Sequence, residues 1–189
     1  MKKGFKRFEE LVNALETLPT IGKKSAMKLA FYMVMEDSFS ALKIAHTIEN
    51  AVREIRRCKR CGGISEDELC SICVDEQRDS AILCIVENAK DILVIEESGE
   101  FNGKYFVLDS LEEKIENLKN LVKEEGIKEI LFALTPSIAN DAVIIYIEDR
   151  LKDFDIIFTK IAQGVPTGVN LENVDSLSLS RALKDRKEV

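Results

Sequence analysis

At the start of the chain, apolar side chains return every three or four residues. Phe5, Phe8, Leu11, Val12 and Leu15 share one side of a 3.6-residue period and predict an amphipathic helix that ends near Leu18-Pro19. A second helix is predicted from about Lys23, with Ala26, Leu29, Ala30, Met33 and Val34 on one face. A third runs from about Ser38, whose hydroxyl suits an N-cap, through Leu42, Ala45, Ile48, Val52 and Ile55. After Arg78 the period changes. Short β-rich runs at 81–87, 104–108, 129–134 and 155–161 alternate with helical patterns near 89–97, 111–125 and 137–152. Gly99 and Gly126 stand where helix C-caps belong. This alternation predicts a parallel sheet covered by helices on both faces. Beyond it, Gly164-Val165-Pro166-Thr167-Gly168 reads as a loop leading to a charged closing helix, Leu177 to Lys187.

The helical front and the strand-rich remainder are divided by four cysteines, Cys58, Cys61, Cys70 and Cys73, spaced C-x2-C-x8-C-x2-C. A Cys-x-x-Cys pair brings two thiolates to one ion from a single tight turn, and two such pairs complete the tetrahedral sulfur shell of a structural zinc. Gly62 and Gly63 supply the permissive backbone that follows the first pair. Disulfides or a redox dithiol are the competing uses of this spacing. The amino terminus carries no apolar export segment, which predicts a reducing, cytoplasmic setting and favours zinc. Four thiolates leave no open coordination position, so the metal is expected to hold structure and do no chemistry. The module is too short to bury a core, and metal ligation must supply much of its folding energy.

With 189 residues, 46% of them hydrophobic, the chain is long enough for one sizeable core and a small satellite unit. No apolar run approaches the roughly 18 residues of a membrane span. Net charge is −7 overall but divides unevenly: residues 1–60 carry +6 and residues 61–189 carry −13. An acidic body weakens contact with a polyanion unless oligomerisation groups the basic ends. The fifth cysteine, Cys84, lies in an apolar strand run and reads as core, while the single histidine, His46, sits in a helical pattern as a structural or solvent-facing residue.

Two further patterns bear on chemistry. Leu18-Pro19-Thr20-Ile21-Gly22-Lys23-Lys24-Ser25 is a tight turn between helices, where a glycine, free amides at a helix start and lysines make a sequence-independent phosphate grip; Lys23, Lys24 and Lys28 are the candidate DNA contacts. At the carboxyl ends of the predicted strands, where α/β sheets collect functional groups, Glu87 and Asp109 form a carboxylate pair able to hold magnesium. The third strand ends in Leu134-Thr135-Pro136-Ser137, with no acid before Asp141. That leaves a phosphoryl-transfer site under-equipped, and a partner surface is the stronger reading of the acidic rim.

In this order, these motifs resemble the RecR family of bacterial recombination mediators along essentially the whole chain. Leu18 to Phe31 is similar to its helix-hairpin-helix, Cys58 to Cys73 to its four-cysteine zinc finger, Leu83 to Glu87 with the helix from Lys90 to the opening of its Toprim domain, Ile161 to Gly168 to its glycine-rich segment, and Leu177 to Arg186 to its terminal segment. The resemblance implies a multi-domain α and α/β chain: a helix-hairpin-helix DNA-contact module (1–54), a four-cysteine zinc finger (55–76), a Toprim-like parallel α/β domain (77–163) and a carboxyl-terminal extension (164–189). It implies one structural Zn2+ per chain and no enzymatic activity. Functionally it implies a cytoplasmic DNA-repair protein, nucleoid-associated when acting, that forms a ring-shaped homo-tetramer. Its partners would be RecO, RecF, and gapped duplex or single-stranded DNA coated by single-strand-binding protein, onto which it helps load RecA. The alternative is a magnesium-dependent Toprim-type nucleic-acid enzyme using Glu87 and Asp109. The family's DNA contacts fall by motif on Lys24 and Lys28, with Lys23 where the family usually has proline. Thr20 replaces the hairpin's first glycine, Gln163 replaces a frequent histidine, and the loop after Leu108 is short.

Overall fold

The computed structural model describes residues 4–162, 165 and 168–184. The chain divides into two compact units, 1–55 and 56–189. Gln163, Gly164, Pro166, Thr167 and residues 185–187 of the expected closing helix lie outside the described residues.

The first unit is helical. Helices α1 (Lys6–Glu16) and α2 (Lys23–Phe31) pack through Val12, Ala26 and Ala30, with Phe8, Leu11, Leu15 and Ile21 around them. Two alanines one turn apart let the helices approach closely, which larger side chains at the same spacing would prevent. The second helix does not carry its apolar face onward as its sequence suggests. Residues Tyr32–Glu36 form a π-helical turn, and the wider turn rotates Val34 out to solvent. Asp37 ends that turn and caps α3 (Ser38–Glu54), its side chain accepting the Ser40 amide at 2.9 Å. The cap is thus Asp37, one residue before Ser38. A carboxylate serves better there because it also meets the positive end of the helix; the Ser40 bond in turn holds the Asp37 carboxyl below its ordinary range.

No residue of α3 is buried. Phe39, Leu42, Ile48 and Val52 are all more than half exposed, leaving an apolar face without cover in the single chain.

In the second unit, β1 (Arg56–Arg57) and β2 (Ile64–Ser65) pair antiparallel around the first cysteine turn, and α4 (Ser71–Val74) carries the second. A four-stranded sheet follows, built from β3 (Asp79–Val86), β4 (Gly103–Val107), β5 (Glu129–Ala133) and β6 (Ile157–Lys160). Its order is β4-β3-β5-β6 and every neighbouring pair is parallel. The connections are α5 (Ala89–Ser98), α6 (Leu111–Glu125) and α7 (Ile138–Leu151); α8 (Ser176–Lys184) comes after a short 3₁₀ turn.

The central strand β3 shows why both faces need cover. Leu83 and Ile85 enter one core with Phe106, Leu118, Ile130, Ile147 and Leu151, while Cys84 and Val86 enter the other with Ile92, Tyr105 and Val107. Alternate side chains of a strand point to opposite faces, so a run that is apolar at every position belongs between two layers. Each fully buried Leu or Ile contributes about 1.5–3 kcal/mol relative to exposure. Cys84 is completely buried, as its apolar run predicts, and burial pushes its thiol up to about 12. Gly99 and Gly126 end α5 and α6 with φ of 68° and 66°, the left-handed conformation expected at both positions.

Candidate functional site

The four cysteines converge. Cys58, Cys61, Cys70 and Cys73 are all buried, and their sulfurs lie within 4.8 Å of one another. Across the cluster, the Cys58 and Cys73 sulfurs are 3.7 Å apart and those of Cys61 and Cys70 are 3.6 Å apart. A disulfide needs about 2.05 Å, whereas four sulfurs at about 2.3 Å around one zinc form a tetrahedron with edges of about 3.8 Å. The spacing therefore fits the metal. Amides of Gly63 and Cys70 donate to the sulfurs of Cys61 and Cys58 at 3.3 Å each, an arrangement that stabilises thiolates.

Without a cation these thiols cannot all ionise together. Cys61 and Cys73 are pushed well up, each first by its bond to a neighbouring sulfur, Cys70 for the former and Cys61 for the latter; the bond from Cys61 holds Cys70 far down. A dication replaces the retained protons and removes that conflict. One structural zinc per chain fits the shell, which has no position left for water or substrate.

The metal turn is seated on the sheet. The Val107 amide donates to the Cys61 carbonyl at 2.8 Å, so the finger is bonded to the outer side of the edge strand β4 at its carboxyl end. Gly62 adopts φ 77°, and a Cβ there would meet the Val107 Cβ at 3.2 Å, which explains the glycine by both conformation and space. Lys104 and Arg60 also tie the finger down. The Lys104 ammonium donates to the carbonyls of Ile72, Cys73 and Asp75, and Arg60 donates to the Cys73 carbonyl at 3.3 Å and pairs with Glu125 at 3.2 Å. Neither residue stands out in the sequence; the one available signal was a lysine inside a short strand otherwise free of charge.

At the helical hairpin, Gly22 precedes α2 in an extended conformation and its carbonyl accepts the amides of Ser25 and Ala26 at 2.9 and 3.0 Å. Lys23 and Lys24 open that helix and Lys28 lies in its last turn; all three are exposed and make no ion pair among the described residues. Thr20 has φ 69°, the one non-glycine residue with positive φ among those described. Its sequence position is where a glycine was to be expected, and the backbone keeps the glycine conformation.

The cations of residues 1–60 are shared between the two units. Four of them, Arg56, Arg57, Lys59 and Arg60, belong to the second unit. Arg57 meets Asp109 at 2.5 Å, Lys59 meets Glu68 at 2.5 Å, and Arg60 meets Glu125. The helical unit alone holds 9 Lys and Arg against 7 Asp and Glu. Three of those nine cations, Lys23, Lys24 and Lys28, fall within six residues of the hairpin.

Glu87 and Asp109 line one cleft of about 300 Å³ at the carboxyl ends of the strands, with Asn140, Leu108 and Leu134. Both carboxylates are engaged. Asp109 pairs with Arg57 and, at 3.8 Å, with Lys114. Glu87 accepts the Thr135 amide at 2.5 Å and the Asn140 side-chain amide at 2.7 Å. Among the described residues, the four cysteines are the only group of three or more metal-binding side chains gathered at one point. No described helix is long and apolar enough to cross a membrane.

Comparison with known proteins matches four family profiles in chain order: the RecR helix-hairpin-helix over residues 8–52, the RecR four-cysteine zinc finger domain over 55–75, the Toprim domain over 81–162 and the RecR C-terminal segment over 164–187. The chain is 60% identical to Recombination protein RecR of a Nitratiruptor species over 190 residues, covering 100% of both chains. It is 53% identical to Recombination protein RecR of Campylobacter jejuni subsp. doylei, again over 100% of both. With Recombination protein RecR of Helicobacter pylori (strain Shi470) it shares 49% identity over 186 residues, 98% of this chain and 96% of that one. Helical hairpin, four-cysteine metal turn and parallel α/β sheet thus follow one another in the order of those profiles, and the chain belongs to the RecR family.

Proposed function

We propose that this chain is a DNA-binding recombination mediator in DNA repair, working in the cytoplasm and associated with the nucleoid when acting. The observation that carries the reading is the contrast among its cations. Lys23 and Lys24 are exposed beside the free amides of a helix start, Lys28 is exposed in the last turn of the same helix, and none of the three has a carboxylate partner among the described residues, whereas Arg57, Lys59 and Arg60 are neutralised by Asp109, Glu68 and Glu125. Free lysines at a helix amino terminus suit phosphate contact without base reading.

Residues 1–54 then serve as the DNA-contact module, 55–76 as the zinc finger, 77–163 as the sheet domain and 164–189 as the extension. The uncovered apolar face of α3 supports assembly with further copies, and a ring-like homo-tetramer groups the hairpins so that their charge acts together against the acidic remainder. In this role the clamp acts with RecO and RecF to promote RecA loading on gapped DNA or DNA coated by single-strand-binding protein. It is not an enzyme: the engagement of Glu87 by Thr135 and Asn140, and of Asp109 by Arg57 and Lys114, favours a partner surface over a magnesium site.

The test is fluorescence anisotropy of a labelled gapped duplex across a salt series, for the parent and for Lys24→Ala/Lys28→Ala, with and without RecO. Each lost phosphate contact is expected to shallow the log-log salt slope by about 0.7–0.9. Binding that is absent even with RecO, or that the substitutions leave untouched, overturns the assignment.

A further inference from the structure

Lys104 is one of two buried polar or charged residues among those described, with 8% of its surface exposed. It lies in β4, a strand buried at all five positions. Its Nζ is 2.9 Å from the Ile72 carbonyl oxygen, 3.2 Å from that of Cys73 and 2.7 Å from that of Asp75. An ammonium has three N–H donors, and three carbonyls meet them. Hydrogen bonding is therefore satisfied in the charged form. Charge is not: Lys104 has no carboxylate partner among the described residues, and a buried charge without an opposite charge nearby is costly.

The missing negative charge is next to it. A zinc dication held by four thiolates carries two net negative charges, and the carbonyl that Lys104 grips belongs to one of the four ligands. A second cation, Arg60, donates to that same carbonyl, but it is also matched by Glu125. Lys104 alone is left over.

We propose that Lys104 is the buried counter-charge of the zinc centre, a positioning residue that fixes the Cys70–Cys73 turn and raises the affinity of the shell for a dication. The consequence is reciprocal. Zinc stabilises an ammonium that the sheet edge would otherwise hold uncompensated, and the ammonium stabilises the metal-bound thiolates. Groups in the outer shell of a metal site commonly account for 10–100-fold in affinity.

Zinc affinity of the full chain is to be measured by competition with a chromophoric chelator for the parent, Lys104→Met and Lys104→Arg. Thermal unfolding of each protein is recorded both zinc-loaded and metal-stripped. Lys104→Met is expected to bind zinc about 10–100-fold more weakly. Lys104→Arg, which keeps the charge and several donors, is expected to recover most of that loss. The fall in Tm caused by Lys104→Met should appear in the zinc-loaded protein and shrink or vanish in the stripped one, where the methionine removes an uncompensated charge. Unchanged zinc affinity, or equal falls in Tm with and without metal, overturns the proposal and leaves Lys104 a cap on three carbonyls. If Lys104→Met is not recovered folded, amide hydrogen exchange on the parent decides. Stripping zinc is expected to release protection along 103–107 together with α4 while β5 keeps its own; a β4 that stays protected overturns the proposal.

Discussion

Glu87 holds Asn140 by its side-chain amide, and the same amide also donates to the Thr135 carbonyl, both at 2.7 Å. A carboxylate at the end of the central strand thus fastens the connection from β5 to α7. Ser137 completes the closure, its hydroxyl oxygen accepting the Asn140 backbone N–H at 3.1 Å.

Replacing Glu87 by alanine leaves the Thr135 amide and one Asn140 donor to solvent. A loss of about 1–2 kcal/mol is expected, because bonds to a charged acceptor are worth more than neutral ones but this group is only partly buried. Urea unfolding of the parent and Glu87→Ala reads it. Adding magnesium should raise the stability of neither protein. A magnesium-dependent gain in the parent that the variant loses would restore the reading of Glu87 and Asp109 as a metal site.

Thr20 offers the opposite case, a substitution that should help. A β-branched side chain at φ 69° carries about 1–2 kcal/mol of backbone strain, and glycine adopts that conformation freely. Glycine also loses more freedom on folding, by about 0.5–1 kcal/mol. Thr20→Gly is therefore expected to stabilise the helical unit by up to about 1 kcal/mol. A Tm that falls, or is unmoved by Thr20→Gly and also by Thr20→Val, would show that the turn bears no strain.

Arg78, Glu96 and Tyr105 give a pH dependence with a defined sign. The Arg78 guanidinium bonds both oxygens of Glu96, and the Tyr105 hydroxyl donates to the same carboxylate at 2.6 Å. First the Arg78 bond and then that of Tyr105 hold the Glu96 carboxyl below its ordinary value of 4.5, against the opposing effect of burial. A depressed folded value means the stabilisation is complete above about pH 4.5 and is lost as pH falls through the lower folded value. Urea unfolding of Glu96→Gln should run below the parent at neutral pH and approach it in acid. Parallel curves throughout would show that the network contributes nothing through ionisation.

How much of this could be read in the chain depends on whether the governing interaction is local. Cysteine spacing is fixed by the reach of one turn to one ion, so the metal shell was legible, as were Gly99 and Gly126 at the ends of their helices. The period of α2 was misleading beyond Phe31 because a single wide turn resets the face, and Asp37 took the cap one residue before Ser38. Pairings across the fold left no trace in sequence: Arg57 with Asp109 lies 52 positions apart, and Glu87 with Asn140 lies 53. Arg57, Lys59 and Arg60 count toward the +6 of residues 1–60, but their partners Asp109, Glu68 and Glu125 all lie beyond residue 60.

The two rims of the sheet are guarded unequally. At the carboxyl end of β4, the Cys61 carbonyl takes the outward Val107 amide and Gly62 packs on the Val107 side chain, whereas β6 has β5 as its only strand neighbour among the described residues and exposes Ile157. An unpaired rim is a template for another chain. A polypeptide made while zinc is scarce would therefore emerge with both rims bare, and its first hazard would be clumping with its own newly synthesised copies.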